Sequence, residues 1–440
     1  MDLQWYWAFA LLLGTIIGML ALGFPVALAF VTTNIIGWLY FTGWNLDAVL
    51  QVVQNSTILI SRFTLAPVPM FILMGSLFFH TGLAVRVFDG IEVMFGRLPG
   101  RLCYLTVAGG ALFATLTGSS MANTAMLGSL MVPEMQRRGY KKKMAMGPVL
   151  GSGSLAMIIP PSSLGVLLAA IADIDVGQLL VAGFLPGFLL AGLFGAMIWL
   201  QLQLDPEAAP AYEVERTPWL ERLTIIAVKI LPMSVVVFMV VGFIILGWAT
   251  PTESAALGVL GVLILAIVYR SLTWNALLES IDSTVRVSGM VFFILMNSTV
   301  YSQLLAFSGA TTGLLDWVGG FDVSPLWILF AMFCVMILLG MFMDGVSMML
   351  IAVPIFFPLA KHLGFDPIWY GLFMLLTIDM GGSTPPFGLL LYVMLGIAPP
   401  GTTLLEVAKA SLPFLFCDTL LIIILVAFPA IALYLPSLMY

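Results

Sequence analysis

Four short segments of the chain place small hydroxyl-bearing or acidic residues beside glycine or proline, inside otherwise apolar runs. Hydroxyl and carbonyl oxygens are the ligands that hard cations such as Na⁺ prefer. The segments are 116–124 (LTGSSMANT), 151–163 (GSGSLAMIIPPSS), 340–347 (GMFMDGVS) and 377–388 (TIDMGGSTPPFG). They predict non-covalent binding of an ion and a solute, while close helix packing is the alternative explanation of the small residues.

Two of these segments contain a proline pair, Pro160–Pro161 and Pro385–Pro386. Proline lacks a backbone N–H and disfavours helix in the residue before it, so we expect a helix to be interrupted at each pair. The carbonyls freed before the break can bind a cation, and the helix start after it offers N–H donors and a positive dipole to an anion. One break can therefore serve both ligands.

The elements that position these segments must lie in a lipid bilayer. Of the 440 residues, 61% are apolar and 9% are charged, against roughly 25% charged in an ordinary soluble domain. The 16 Lys and Arg against 22 Asp and Glu argue against nucleic acid as a partner, because phosphate binding needs concentrated basic residues. The 42 glycines and 25 prolines predict broken helices buried among others.

Apolar runs of about 20 residues predict ten membrane spans, which start near residues 4, 25, 63, 144, 179, 223, 254, 287, 368 and 411. Two further apolar stretches, at about 104–131 and 326–356, are predicted to be re-entrant hairpins. Under this assignment 14 of the 16 Lys and Arg lie on one side. That side is cytoplasmic by the positive-inside rule, so both termini are predicted to be periplasmic.

Asp344 and Asp379 are the acidic residues closest to the predicted interruptions. A carboxylate inside a membrane is costly, which suggests a functional partner. The alternative is that each caps a half-helix and contacts no ligand. We favour capping for Asp379 and leave both interpretations open for Asp344.

The order of features in the first half of the chain recurs in the second half. The sequence FILM occurs at 71–74 and again at 293–296. Its methionine lies 44 residues before Gly118 in the first half and 44 residues before Gly340 in the second, and the two proline pairs are 225 residues apart. Each half contains five spans and one hairpin, so an odd number of crossings inverts the second half. Inverted repeats with broken helices place a binding site near the bilayer midplane, although glycine and proline can also recur without a repeat.

We therefore predict an all-α polytopic protein with two inverted repeats, each of five transmembrane helices and one hairpin. The first repeat covers 1–203, a cytoplasmic linker 204–222, and the second repeat 223–440. The broken helices are expected at about 144–168 and 368–395.

At these residues the chain resembles the large membrane subunit, or M subunit, of tripartite ATP-independent periplasmic (TRAP) transporters. The resemblance covers nearly the whole chain, and its most specific pieces are 118–120, 133–135, 159–162, 182–187 and 384–388. Relatives often read GTLG before the first proline pair, whereas this chain reads GSLA at 153–156. A turn that needs a positive φ would not favour Ala156.

The resemblance implies an elevator-type secondary transporter, related to the ion transporter superfamily, in the inner membrane of a bacterium or archaeon. It imports an organic acid, such as a C4-dicarboxylate or a sialic or sugar acid, with Na⁺ as the coupling ion and no organic cofactor. The expected partners are a small four-helix membrane subunit and a soluble periplasmic binding protein.

By the same resemblance, the hairpin tips and broken helices hold Na⁺ and substrate in a mobile transport domain. The expected Na⁺ ligands are Gly118, Ser119, Gly151, Gly153, Ser154, Gly340, Met343, Thr377, Gly381, Ser383 and Thr384. The residues expected to contact the substrate are Ser119, Ser120, Asn123, Pro161, Ser162, Met343, Asp344 and Pro386.

Other functions compete with this hypothesis. An ion or proton antiporter of similar architecture would work without a binding protein, and a passive channel fits the paired breaks poorly. An enzyme is not expected, because the sequence has no HExxH or GxSxG motif. It also lacks a phosphate-binding GK[ST] loop, so we do not expect ATP hydrolysis.

Overall fold

The computed structural model describes residues 4–61, 63–95, 98–117, 120–210, 218–321 and 323–439. These residues form helices and no β-strand. In the first half of the chain the helices are α1 (Trp5–Ala21), α2 (Val26–Phe41), α3 (Leu46–Ile60), α4 (Pro67–His80), α5 (Leu83–Phe95), α6 (Arg101–Thr117), α7 (Ser120–Arg137), α8 (Lys142–Ile158), α9 (Ser163–Ala172), α10 (Val176–Ala182) and α11 (Phe184–Leu204).

The second half begins with α12 (219–245), which contains two π-helical stretches. It continues with α13 (Pro251–Val268), α14 (Trp274–Phe307), α15 (Ala310–Gly319), α16 (Pro325–Gly340), α17 (Gly345–His362), α18 (Pro367–Ser383), α19 (Leu389–Ile397) and α20 (Leu404–Ala427). The chain is therefore an all-α protein, as predicted.

Six helical segments are long and apolar enough to cross a bilayer, and the bent pair α8–α9 is a candidate for a seventh. The six are Val176–Leu204, Leu223–Ile245, Pro251–Val268, Trp274–Phe307, Gly345–His362 and Leu404–Ala427. Other apolar helices, such as α1 and α2, are 16 or 17 residues long, at or just below the lower limit for a span. The total of ten spans stays a prediction.

The helix that contains the span predicted near residue 287 begins earlier than predicted. α14 starts at Trp274 and is 34 residues long, and the Thr273 side chain caps it by accepting a hydrogen bond from the Ala276 N–H. The residues before 287 include the charged Glu279, Asp282 and Arg286, so apolar content alone gave no sign of this extension. Capping, rather than hydropathy, fixes where α14 begins.

Two helix pairs occupy the segments predicted to be re-entrant hairpins. α6 and α7 contact each other along the first segment, and the residues between them, 118 and 119, lie outside the described part of the chain. α16 and α17 contact each other along the second segment and are joined by 341–344.

The helix is interrupted at both proline pairs. α8 ends at Ile158 and α9 begins at Ser163, with a bend of 43° between them. α18 ends at Ser383 and α19 begins at Leu389, and both proline pairs have cis peptide bonds. Ala156 lies inside α8 and has no positive φ, so the concern about this residue was wrong.

The two helices before these breaks lie at the centre of the bundle. α8 is buried from Met144 to Ile158 and contacts α6, α7, α18 and α20. α18 is buried over most of its length and contacts α16, α17, α8 and α20. Elsewhere α4 contacts α13 and α14, and α14 contacts α2 and α3. The interrupted helices are therefore enclosed by protein, as interrupted backbone in a bilayer must be.

Glycine allows α16 and α18 to touch through their backbones. A Cβ atom added at Gly381 would stand 2.8 Å from the Cα atom of Gly340, and one added at Gly340 would stand 2.7 Å from the Cα atom of Gly381. Because backbone atoms cannot move aside as a flexible side chain can, this contact requires glycine at both positions.

We predict that Gly381→Ala destabilises the protein by about 1–3 kcal/mol through overpacking. The matched control is Gly14→Ala in α1, where an added Cβ meets nothing within 4 Å and where Ala is a better helix former than Gly by about 1 kcal/mol. Thermal unfolding of the purified proteins should show a lower midpoint for Gly381→Ala and an equal or higher midpoint for Gly14→Ala. Equal midpoints for wild type and Gly381→Ala would contradict this account of the contact.

Candidate functional site

All four segments singled out from the sequence contribute to one cavity of about 210 Å³. Ser120 comes from α7, Met157 from the end of α8, Asp344 from the turn before α17, and Asp379 from α18. The remaining lining residues are Met121, Leu164, Met343, Gly345, Val346, Ile378, Gly382, Leu389 and Leu390. Both broken helices and both helix pairs therefore reach the same small space.

The cavity is mostly apolar, with a few polar groups that converge on it. The polar side chains are one serine and two carboxylates, and the described lining includes no lysine or arginine. Apolar walls with a few placed polar groups are typical of a binding site for a small organic molecule. The charges of these walls favour a cation near the two carboxylates.

Of the residues expected to contact substrate, Ser120, Met343 and Asp344 line the cavity. Asn123 is buried and donates a hydrogen bond to the Ser152 carbonyl at 2.7 Å, which joins α7 to α8. Ser162 caps α9 by accepting from the Gly165 N–H at 3.0 Å. Pro161 is buried in the first break, Pro386 is exposed in the second, and Ser119 lies outside the described residues.

The residues expected to bind Na⁺ fall into three groups in the structure. Gly151, Gly153 and Ser154 lie in α8, and Thr377, Gly381, Ser383 and Thr384 lie at the end of α18 or just after it. Gly340 ends α16, and Met343 lies in the turn that follows. Gly118 lies outside the described residues.

Asp344 caps α17 and also lines the cavity. Its carboxylate accepts hydrogen bonds from the N–H groups of Val346 at 3.1 Å and Ser347 at 3.3 Å, and the Ser347 hydroxyl donates to it as well. A carboxylate at this position is favoured by the helix dipole, which offsets part of its charge. Asp344 therefore caps a helix, and its place in the lining leaves it available to a ligand as well.

Asp379 does not cap a helix, so the capping interpretation was wrong for this residue. It lies inside α18, four residues before the helix ends, and is 2% exposed. The Ser120 hydroxyl donates a hydrogen bond to Asp379 Oδ1 and so links α7 to α18. Because Asp379 also lines the cavity, it places a buried carboxylate in the cavity wall.

Asp418 is the residue that the sequence interpretation missed. It lies in α20, is 2% exposed, and is close enough to Asp379 for the two carboxylates to interact. The residues around it, FLFCDTLLII, contain no glycine or proline to mark it. A single acid in the middle of an apolar span was itself a usable signal, because such residues are rare and functional.

Serine hydroxyls contact backbone carbonyls of α8 at the same place. Ser120 Oγ lies 2.9 Å from the Gly153 carbonyl oxygen, and Ser154 Oγ lies 2.7 Å from the Gly151 carbonyl oxygen. Within the described ranges, no three His, Cys, Asp or Glu side chains are grouped to hold a metal ion. Hydroxyl and carboxylate oxygens of this kind are the ligands that hard cations prefer.

Comparison with known families now decides what kind of protein this is. The family model described as "Tripartite ATP-independent periplasmic transporter, DctM component" matches residues 13–431. The chain belongs to this family. It is thus a multi-pass permease subunit of a TRAP transporter and not an enzyme, and the family implies a small membrane subunit and a periplasmic binding protein as partners.

Two curated relatives show how much of the chain is shared. The C4-dicarboxylate TRAP transporter large permease protein DctM of Rhodobacter capsulatus is 30% identical, and the match covers 98% of this chain and 99% of the relative. The ectoine TRAP transporter large permease protein TeaC of Halomonas elongata is 29% identical, with the same coverage.

A solved structure, that of the YdaH transporter of Alcanivorax borkumensis, is similar to this fold with a TM-score of 0.69. The match covers 92% of this chain and 98% of that one, at 14% identity. At this identity the likeness concerns the fold alone.

Asp344 allows a test that separates its two roles. Asparagine caps a helix about as well as aspartate, whereas alanine at an N-cap costs about 0.5–2 kcal/mol. We predict that Asp344→Ala lowers the thermal unfolding midpoint, while Asp344→Asn keeps it and reduces solute uptake about tenfold through loss of the charge.

The matched control is Asp366, which caps α18 by accepting from Ile368 and Trp369 N–H groups and does not line the cavity. Asp366→Ala should lower the unfolding midpoint in the same way, and Asp366→Asn should leave uptake unchanged. Normal uptake by Asp344→Asn would show that capping is the whole role of Asp344.

Proposed function

We propose that this permease imports a small organic acid together with Na⁺, as the membrane part of a binding-protein-dependent secondary transporter. The observation that carries the proposal is the shared cavity, where both helix breaks and both helix pairs meet. A site built from two halves of a chain can be opened to either side of the membrane by exchanging the conformations of those halves.

The substrate is a small solute. Relatives of this chain are named for C4-dicarboxylates, ectoine and 2,3-diketo-L-gulonate, and a cavity of about 210 Å³ suits a molecule of modest size. The apolar lining provides contact area, and the N–H groups at the start of the half-helices α9 and α19 provide donors for a carboxylate.

The charges at the site support coupling to Na⁺. An organic anion that enters this cavity meets Asp344 and Asp379, and the described lining offers no lysine or arginine to balance them. Placing like charges together in a low-dielectric site is unfavourable by several kcal/mol unless a cation accompanies them. Hydroxyl and carbonyl oxygens of α8 and α18 supply ligands of the type that Na⁺ prefers.

The movement proposed is that of an elevator. The two helix pairs α6–α7 and α16–α17 and the broken helices α8–α9 and α18–α19 form the mobile unit that carries the solute. Helices α2, α3, α4, α13 and α14 pack on one another and form the scaffold. The chain sits in the inner membrane with both termini periplasmic, and it works with the small membrane subunit and the soluble binding protein.

The function is tested by uptake into proteoliposomes that contain the permease and its small subunit, with the binding protein added outside. A thermal-shift screen of the binding protein first identifies the solute. We predict that uptake rises about tenfold or more with an inward Na⁺ gradient, because the ion must neutralise part of the site before the anion enters. Choline in place of Na⁺, at a fixed membrane potential, is the control for ionic strength.

Two results would contradict the proposal. Uptake that is equal in Na⁺ and choline would exclude Na⁺ coupling, and uptake that is equal with and without the binding protein would exclude the binding-protein-dependent mechanism.

A further inference from the structure

A proline inside α17 removes the helical donor of one buried carbonyl. In an α-helix the N–H of each residue donates to the carbonyl four residues earlier, and Pro354, in the middle of α17, has no N–H. The Leu350 carbonyl therefore lacks its usual helical partner, and Leu350 is fully buried. A buried carbonyl in this position needs a donor from another part of the structure.

That donor comes from α14. The Ser298 hydroxyl donates a hydrogen bond to the Leu350 carbonyl oxygen at 3.0 Å, and Ser298 is fully buried as well. One residue earlier, the Asn297 carbonyl accepts a hydrogen bond from the side-chain amide of Asn34 in α2, at 2.8 Å. At these two adjacent residues α14 is therefore bonded to α2 and to α17.

The bond between Ser298 and Leu350 crosses between the two bodies of the proposed elevator. Under the proposed function α2 and α14 belong to the scaffold, and α17 belongs to the mobile unit. The side chains of Leu350, Ile351 and Ile355 pack with residues of α2 and α14 in a small core of their own, whereas Met348 belongs to the main core. One face of α17 thus contacts the scaffold, and the bond lies on that face.

The hydrogen bond fixes a position in a way that the apolar contacts around it do not. Apolar side chains attract one another without direction, so their contacts can form again after one helix slides along another. A hydrogen bond between two oxygens needs a separation of about 3 Å. Sliding by a single helical turn, about 5.4 Å, breaks it. The bond therefore stabilises the arrangement of α14 and α17 in this structure over one that is displaced by a turn or more.

We propose that the Ser298 hydroxyl and the Leu350 carbonyl form a latch, which holds the mobile unit against the scaffold in the conformation of this structure. Pro354 gives the latch its effect, because without the Ser298 hydroxyl the Leu350 carbonyl loses the donor that replaces the missing N–H. This inference rests on the proposed function and concerns its movement. One hydrogen bond is weak enough to open in every transport cycle and strong enough to change the ratio of two conformations about three- to tenfold.

The test measures the populations of the two conformations in the permease bound to its small subunit. Spin labels at the exposed native Cys334 of α16 and at Gln51→Cys, an exposed position of α3, report the distance between mobile unit and scaffold. Cys103 and Cys417 are buried. In pulsed electron–electron double resonance without solute, Ser298→Ala should lower the ratio of the conformation seen here to the other one about three- to tenfold.

Pro354→Ala tests the origin of the latch and keeps the Ser298 hydroxyl. It restores the N–H that α17 lacks, so the Leu350 carbonyl gains a donor within its own helix, and the ratio should shift in the same direction. In the Pro354→Ala background, Ser298→Ala should change the ratio by less than about twofold, since two changes that act on one carbonyl are not additive. An equal effect of Ser298→Ala in both backgrounds would overturn the latch.

Cys103→Ala is the matched control, because it removes a similar contact within the mobile unit. The Cys103 thiol of α6 lies 3.5 Å from the Met144 carbonyl oxygen of α8, and Met144 stands four residues before Pro148. This contact also serves a carbonyl that a proline has deprived of its donor. Cys103→Ala and Ser298→Ala should both lower the thermal unfolding midpoint, but only Ser298→Ala should change the ratio of conformations. An equal change of the ratio in Cys103→Ala would count against the latch.

The remaining outcomes separate the latch from the proposed function. Two distances with the same populations in wild type and Ser298→Ala would overturn the latch and leave the proposed function intact. A single distance in every variant, with and without Na⁺ and solute, would overturn the elevator movement and the latch with it. A shift of populations in Ser298→Ala, together with uptake that is equal in Na⁺ and choline, would support the latch and overturn the coupling.

Discussion

Interrupted helices inside a bilayer impose the constraint on which the rest of this fold depends. Each break exposes carbonyl and N–H groups that lipid cannot satisfy, so they must face protein or a lined cavity. In this chain the helices before the two breaks, α8 and α18, are enclosed by neighbours on nearly every side. Ser162 and Asp344 cap the helix starts that face the interior. Burial of the helices before the breaks therefore creates the site as well as the core.

The helix interruptions were the part of the architecture that could be predicted from the sequence. Glycine, serine and proline act on the backbone locally, and their effect can be interpreted without knowing the neighbours. The four segments that carry them all contribute to one cavity. The start of α14 was not predictable from hydropathy, because its first turns carry charged residues and its boundary is set by the Thr273 cap.

Partners across the bundle could not be predicted, because they depend on packing between distant parts of the chain. Asp379 was interpreted as a helix cap because it precedes a break, yet its contact is with Ser120, 259 residues away in sequence. Asp418 lies near Asp379 only because α20 packs against α8 and α18. The types of these residues were visible, but their pairing required the tertiary structure.

The acidic residues at this site differ in how their charge is balanced. Asp344 is balanced by the N–H groups and dipole of α17, which are present in every state of the folded protein. Asp379 accepts a hydrogen bond from the Ser120 hydroxyl, and Asp418 Oδ1 has no partner within the described structure. Under the proposed function, a cation near Asp379 would offset a charge that no helix dipole balances, whereas the charge of Asp344 is already offset. Thermodynamic linkage then requires the reverse effect, so an anion held in the cavity tightens the cation by the same factor that the cation tightens the anion. Under the proposed function, solute and ion would in this way travel together.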